Sequence, residues 1–440
     1  MTKKVVKKAK ITVKKTPKTK VDIFDVIIIG GGPAGLMAAC SAACLRMQGE
    51  SKQKVLVLEK NDELGKKLLI SGGGRCNITN ANPNHREFVS KFGKKGDFLY
   101  SPLSIFGVPE TIKFFNDLGL ETKVEAGFRV FPESDNSADV LDILVNQAKK
   151  LGVEFKLGAE VEKLNKKAKQ ITSVSLKSGE KLVAHKFILT TGGMSHPETG
   201  STGDGFEWLK EIGHKVAAAN PSLVPIKVSN AWVGGLAGLT LDNIGISVWA
   251  AVNNIYKKIL SKKGRVLFTH NGLSGPTILN MSKVVGEYVA NGDVLISLDF
   301  FPGVGLDQMH KMMLDIFQNN LNKKIKNLTF REVPAKIFEL MLSQLEIDPD
   351  WEINEIRKEE RIALVEKFKK FEMKVAGLMG FDQAIISSGG LDLNEVNFKT
   401  MGSKLYDNLY FAGDILDFDR PSGGFSLQLC WTTGYIAGKN

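Results

Sequence analysis

The stretch Val26-Ile27-Ile28-Ile29-Gly30-Gly31-Gly32-Pro33-Ala34-Gly35 passes from four apolar β-formers through a glycine turn into a helix-forming segment that reads as far as Met47. The spacing gives each glycine a task. Gly30 permits a tight turn, Gly32 lets backbone approach a pyrophosphate, and Gly35 lets the helix pack closely on the sheet. The helix N-terminus, with Ala34 in its first turn, adds unpaired N–H groups and partial positive charge where phosphates would lie. Downstream, Val55-Leu56-Val57-Leu58 predicts a second strand that delivers Glu59, a carboxylate suited to ribose hydroxyls. A glycine triplet alone would read as a flexible turn. Strand, turn, helix, strand and terminal acid together read as a dinucleotide site.

The segment that follows carries Lys66, Lys67, Ser71-Gly72-Gly73-Gly74-Arg75-Cys76-Asn77 and Thr79. Three consecutive glycines give N–H groups room to converge on an anion, with Lys66, Lys67 and Arg75 as cationic donors and Ser71, Asn77 and Thr79 as neutral ones. Placed just after Glu59, this loop is expected to continue along the same ligand. Phe187–Thr190 then leads into Thr191-Gly192-Gly193, a second place where backbone can touch a flat ligand. Near the end of the chain, Leu409-Tyr410-Phe411-Ala412 is a strand finishing in Gly413-Asp414, whose carboxylate can accept from ribitol hydroxyls. Two separated contact regions favour FAD over NAD. A helix opening near Gly424, Phe425 and Ser426 would point its N-terminus at the flavin pyrimidine edge.

At 440 residues the chain suggests two or three domains, and 43% hydrophobic with 24% charged residues is ordinary for a globular protein. No run of about eighteen uninterrupted apolar residues appears, so no membrane span is expected. The net charge of +11 is a property of one end: nine lysines and no acid lie in residues 1–20, and removing them leaves +2 for residues 21–440. That Lys/Thr/Val tail is expected to be disordered, and weak binding to polyanions is the most it would add. Four cysteines form no Cys-x-x-Cys pair and no disulfide framework, which fits a reducing cytoplasm, and no metal site is expected. Cys40 and Cys44, four apart, are expected to share a face packed on the sheet.

Helical periodicity marks 109–120 and 137–150, and short strands alternate through 153–190. The expected architecture is α/β. A Rossmann-like FAD-binding domain of the two-dinucleotide-binding flavoprotein type (21–198 and 375–440) is interrupted by a β-rich domain (199–275) and a mainly helical insert (276–374). Met309 and Met313 belong to an apolar helix face expected to be core.

These markers closely resemble the HI0933-like flavoproteins, which also include the YhiN, BaiN and aminoacetone oxidase-type proteins. The resemblance runs from about residue 24 to the end. It is carried by Gly30–Gly35, the Gly74-Arg75-Cys76-Asn77 core, TTGGMSHPETGSTGDG at 190–205, THNGLSGP at 269–276, and Thr400–Gly438. It implies non-covalent FAD, with Glu59, Lys60, Lys67, Arg75 and Asp414 near the cofactor and the Val161 backbone near adenine. Gly423-Gly424-Phe425-Ser426 stands where the family often has Gly-Gly-Tyr-Asn, Asp414 where it often has Glu, and Arg420 where a small residue is common.

The simplest expected chemistry is hydride transfer between FAD and a small amine, ketone or activated alkene. No second glycine fingerprint is present, so NAD(P)H would act only as a transient donor, and oxygen is the alternative partner. His270 and His196 are the candidate acid–base residues, set against structural or solvated roles for both. A flavoprotein acting on RNA and a flavin-binding protein without turnover are the rival readings. The oligomeric state is not legible.

Overall fold

The computed structural model describes residues 23–44, 53–253 and 255–440, so the lysine-rich segment 1–20 lies outside the described residues. Five parallel strands form the central sheet, in the order Glu154–Lys156, Val55–Leu58, Ile23–Ile29, Lys181–Leu189, Leu409–Phe411. The inner strands are buried on both faces, which explains why Val26–Ile29 is continuously apolar instead of alternating. Val161–Lys167 and Gln170–Leu176 form an antiparallel meander leading into Lys181–Leu189. From Ile23–Ile29 the chain builds outward to one side, then crosses to the other at Lys181–Leu189. The carboxyl ends of those two neighbours, Ile29 and Leu189, therefore flank a topological switch point, where α/β sheets open a crevice.

The glycine-turn helix Pro33–Cys44 is buried along Ala34–Ala43 by the sheet and by the helices Ser137–Lys150 and Phe425–Lys439. Its contact with the last helix is backbone-close. A Cβ on Gly434 would stand 2.5 Å from the Ala34 carbonyl oxygen, and one on Gly438 2.2 Å from that of Ala38. Small residues on both helices thus bring the two ends of the chain together. Cys40 is buried there, but Cys44, expected on the same packed face, is exposed at the helix end.

A second hydrophobic core belongs to a closed six-stranded barrel. Its order is Ile226–Val228, Gly272–Ser274, Ile255–Thr269, Thr240–Val252, Val294–Asp299, Phe371–Leu378. The helices Leu306–Gln318, Ala335–Gln344 and Lys358–Lys369 lie between its last two strands in sequence, and Met309, Met313 and Phe317 pack into the same core. Barrel strands therefore fall on both sides of residue 275, because a barrel closes only when its first and last strands pair, here Ile226–Val228 with Phe371–Leu378. No helix among the described residues is long and apolar enough to cross a membrane.

Candidate functional site

A cleft of about 880 Å³, its open mouth included, lies at the switch point. Gly30, Gly32, Ala34, Glu59, Lys60, Lys67, Val161, Thr191, Gly192 and Asp414, all expected at a cofactor, line it together. The glycines differ in what surrounds them. Gly30 has φ +112 and an added Cβ would meet the Thr190 carbonyl oxygen at 2.5 Å; a Cβ on Gly35 would lie 1.9 Å from the Gly30 carbonyl oxygen. A Cβ on Gly32 would meet nothing within 4 Å. Two glycines thus serve the turn and its packing, and the third faces open space.

Glu59 is buried and accepts from the backbone N–H of Gly31 (2.8 Å) and from Asn61 through its backbone N–H (2.9 Å) and Nδ2 (2.8 Å). A carboxylate has roughly four lone-pair sites, so a further donor from a ligand can be taken. Asn61 also donates to the Thr199 carbonyl at 3.0 Å, which draws the Thr199–Thr202 turn onto the cleft wall. Lys60 holds the other side of that turn through Thr202 Oγ1 and Asp204, the latter at 2.7 Å. Burial pushes the Asp204 carboxyl up, but its bonds to Lys60 and Thr202 outweigh that and hold it below the usual range. Lys67, partly buried, donates to Ser195 Oγ at 3.2 Å. Burial drives its ammonium down to about 8, against the opposing pull of the Asp414 carboxylate.

At the far end, Gly413 takes φ +77 and its N–H donates to Thr433 Oγ1 at 2.9 Å, so the strand end and the last helix jointly aim Asp414 into the cleft. One Asp414 oxygen is held by Arg420, whose side chain is only 1% exposed and also donates to Ser426 Oγ (2.9 Å) and the Phe418 carbonyl (2.8 Å). Thr191 Oγ1 on the cleft wall is buried without a protein partner. A cleft with one open glycine, cationic and N–H donors along its length, carboxylates at both ends and an unpartnered hydroxyl fits a dinucleotide.

The remaining expected contacts lie elsewhere. Arg75 is engaged by Glu125 and Asp135, and its guanidinium stacks 4.1 Å from the Phe131 ring centroid. Cys76 is fully buried at φ +58, and burial pushes its thiol up to about 12, so it stays protonated. Ser71 donates to the Leu68 carbonyl (2.7 Å), and Gly73 is an exposed left-handed turn residue. Asn77 instead ties the loop to the last helix: with its amide oriented to donate to Val130 and Thr79 carbonyls, it accepts from the Gly424 N–H at 3.0 Å. Gly424 at φ +98 sits so close to Thr79 that a Cβ would lie 2.4 Å from its backbone. Phe425 is buried among Phe88 and Phe92, and Ser426 faces Arg420. None of these residues lines the cleft.

His196 stands at the start of the turn that reaches the wall, with Nδ1 2.8 Å from Glu198 Oε1. His270 is exposed at the turn between two barrel strands and the structure does not bring it to the cleft. Sequence reasoning did not single out Asn61, Thr199–Thr202, Asp204, Trp208 or Cys430, all of which line the cleft. The run Gly200-Ser201-Thr202-Gly203-Asp204-Gly205 was the available signal: small residues and a helix-starting acid, read only as a marker.

The model of the HI0933-like protein Rossmann domain matches residues 24–440. The chain belongs to the HI0933-like family. Among its relatives, a 3-dehydro-bile acid delta(4,6)-reductase of Clostridium scindens is 31% identical, over 94% of this chain and 97% of its own. A ribosomal RNA dihydrouridine synthase of Escherichia coli is 28% identical over 95% and 98%. In fold the chain is similar to the open conformation of a flavocytochrome c3 fumarate reductase, with TM-score 0.52 and 16% identity, covering 95% of this chain and 78% of that one. This family member has the Rossmann-type FAD-binding fold, and the cleft residues above fit that cofactor.

Proposed function

We propose that this FAD-dependent oxidoreductase reduces a carbon–carbon double bond conjugated with a carbonyl in a small organic substrate. The observation that carries the reading is the cleft itself, lined by the glycine turn, Glu59, Lys67 and Asp414, in a chain two of whose relatives share one reaction type. A delta(4,6)-reductase and a dihydrouridine synthase are each named for adding hydrogen across a ring double bond. When bound, FAD supplies two-electron hydride chemistry at its ring. Glu59 and Asn61 would hold the ribose end, the Gly32 turn and Lys67 the diphosphate, and Asp414 the ribitol. The small-molecule reading is preferred to RNA because residues 21–440 are nearly neutral.

The test is anaerobic. The holoenzyme is reduced with dithionite, NADH or NADPH in turn and then mixed with a conjugated steroid ketone or with uridine-containing RNA, while the flavin absorbance is followed. The expected result is stoichiometric reoxidation by the ketone. Reoxidation by oxygen alone, or bleaching of the oxidised flavin by simple amines, would refute the alkene reading in favour of an oxidase.

Lys67 gives this cofactor assignment a pH signature. Its depressed value means that above about 8 the folded protein holds this site neutral while the unfolded chain, up to its ordinary value near 10.5, keeps it charged. The apo protein therefore gains stability from this group as pH rises through that window, and FAD loses a cationic partner. Affinity for FAD is expected to fall by up to about tenfold per pH unit above 8. In Lys67→Met this slope flattens. An identical slope in the variant would remove Lys67 from the diphosphate.

A further inference from the structure

A second cleft lies where the two cores meet. Its walls come from three distant segments: the loop Lys91–Lys95, the face of helix Pro276–Val289 bearing Leu279, Asn280 and Lys283, and Asp419–Pro421, with Ser222 and Leu223 beside them. The two cores are tied across it by Lys283 to Asp419 (2.6 Å) and by the Ser422 N–H donating to Asn280 Oδ1 (3.0 Å). Lys91, Lys94, Lys95, Lys283 and Arg420 line this cleft against one lining carboxylate, Asp419. Lys91, Lys95 and Arg420 are compensated by Glu87, Asp417 and Asp414, and Lys283 by Asp419 itself. Lys94 is exposed and has no ion-pair partner among the described residues. The remaining positive charge thus stands at Lys94, in a cleft whose lining also includes the half-buried apolar side chains of Leu279 and Pro421 and the polar Ser222 and Asn280.

Arg420 connects this cleft to the first. It lines the junction cleft, and its guanidinium reaches Asp414 on the cofactor wall. An uncompensated cation beside half-buried apolar side chains suits an amphiphilic anion. It suits RNA poorly, because base recognition wants an open aromatic face and the aromatic residue here, Phe92, is only 2% exposed, packed against Phe88, Phe418 and Phe425. We infer that the junction cleft docks the carboxylate end of an amphiphilic small-molecule substrate at Lys94, its apolar body lying along Leu279 and Pro421. The link to catalysis rests on the alkene-reductase reading; binding itself does not.

Equilibrium dialysis of the holoenzyme with cholate, and with the neutral alcohol obtained by reducing its carboxyl group, tests the site without turnover. The acid is expected to bind about tenfold more tightly than the alcohol, a preference that fades at high salt. Lys94→Glu, at an exposed and unpaired position, is expected to erase that preference and leave alcohol binding unchanged. Equal binding of acid and alcohol, or a preference that survives Lys94→Glu, overturns the inference. So does displacement of cholate by an oligouridylate at lower concentration, which would give the cleft to RNA phosphates. A neutral conjugated steroid ketone reoxidising the reduced flavin, with no acid preference in dialysis, would sink the docking site and keep the reductase. Acid preference without any reoxidation would do the reverse.

Discussion

Gly32→Val is expected to yield a protein that folds normally and stays colourless. The added side chain starts in space where no protein atom lies within 4 Å, and Gly32 does not sit at a left-handed φ, so nothing in the chain has to move. Stability should therefore stay within about 0.5 kcal/mol of the parent. The same open space is where the backbone must meet the cofactor's pyrophosphate, and a branched side chain occupies it. Affinity for FAD is expected to fall at least about a hundredfold, or about 2.7 kcal/mol. Thermal unfolding of the apo protein and titration with FAD separate the two effects. Gly35→Val supplies the contrast, since its Cβ would stand 1.9 Å from the Gly30 carbonyl oxygen and 2.8 Å from Thr190 Oγ1, and should fold poorly with or without FAD. A yellow Gly32→Val protein would mean that the pyrophosphate lies elsewhere.

Asp414→Ala is expected to cost much of the protein's stability. It leaves the Arg420 guanidinium, 1% exposed, with only Ser426 Oγ and the Phe418 carbonyl as partners. Removing one partner of a buried ion pair costs about 3–5 kcal/mol, because the remaining charge is neither solvated nor compensated. Exchanging both, in Asp414→Ala/Arg420→Met, removes the charge along with its partner and should recover most of that loss. The double variant should still bind FAD poorly, since the carboxylate facing the ribitol is gone. Denaturant midpoints of the three proteins, measured without FAD, decide the first point; FAD titration decides the second. A single variant as stable as the parent would show that Arg420 finds other compensation.

Much of the architecture was legible because local patterns carry it. The continuous apolar run Val26–Ile29 announced a strand buried on both faces, and the 137–150 periodicity matches the helix Ser137–Lys150. The barrel was harder to read. Val294–Asp299 and Phe371–Leu378 are short strands flanking a long helical stretch, and only their pairing partners, Thr240–Val252 and Ile226–Val228, make them part of one closed sheet. Gly30 and Gly32, marked by backbone necessity, and Glu59 and Asp414, marked as strand-terminal acids, line one cleft. Asn61 and Thr199–Thr202 carry no such mark, because they reach the cleft through bonds between segments more than a hundred positions apart.

Arg75 illustrates the limit. In the chain it is a cation beside three glycines, which suggests an anion; in the fold it lies between Glu125 and Asp135 over Phe131. Arg420 is the converse, a residue with no motif of its own that ends up holding Asp414. Strand, turn and helix follow from steric and hydrophobic rules acting over a few neighbours, so the dinucleotide turn and its acid can be read along the chain. Which charges face the cleft and which cancel among themselves depends on atoms brought within about 3 Å by packing. That information exists only once helices Pro33–Cys44 and Phe425–Lys439 have closed on each other, glycine against alanine.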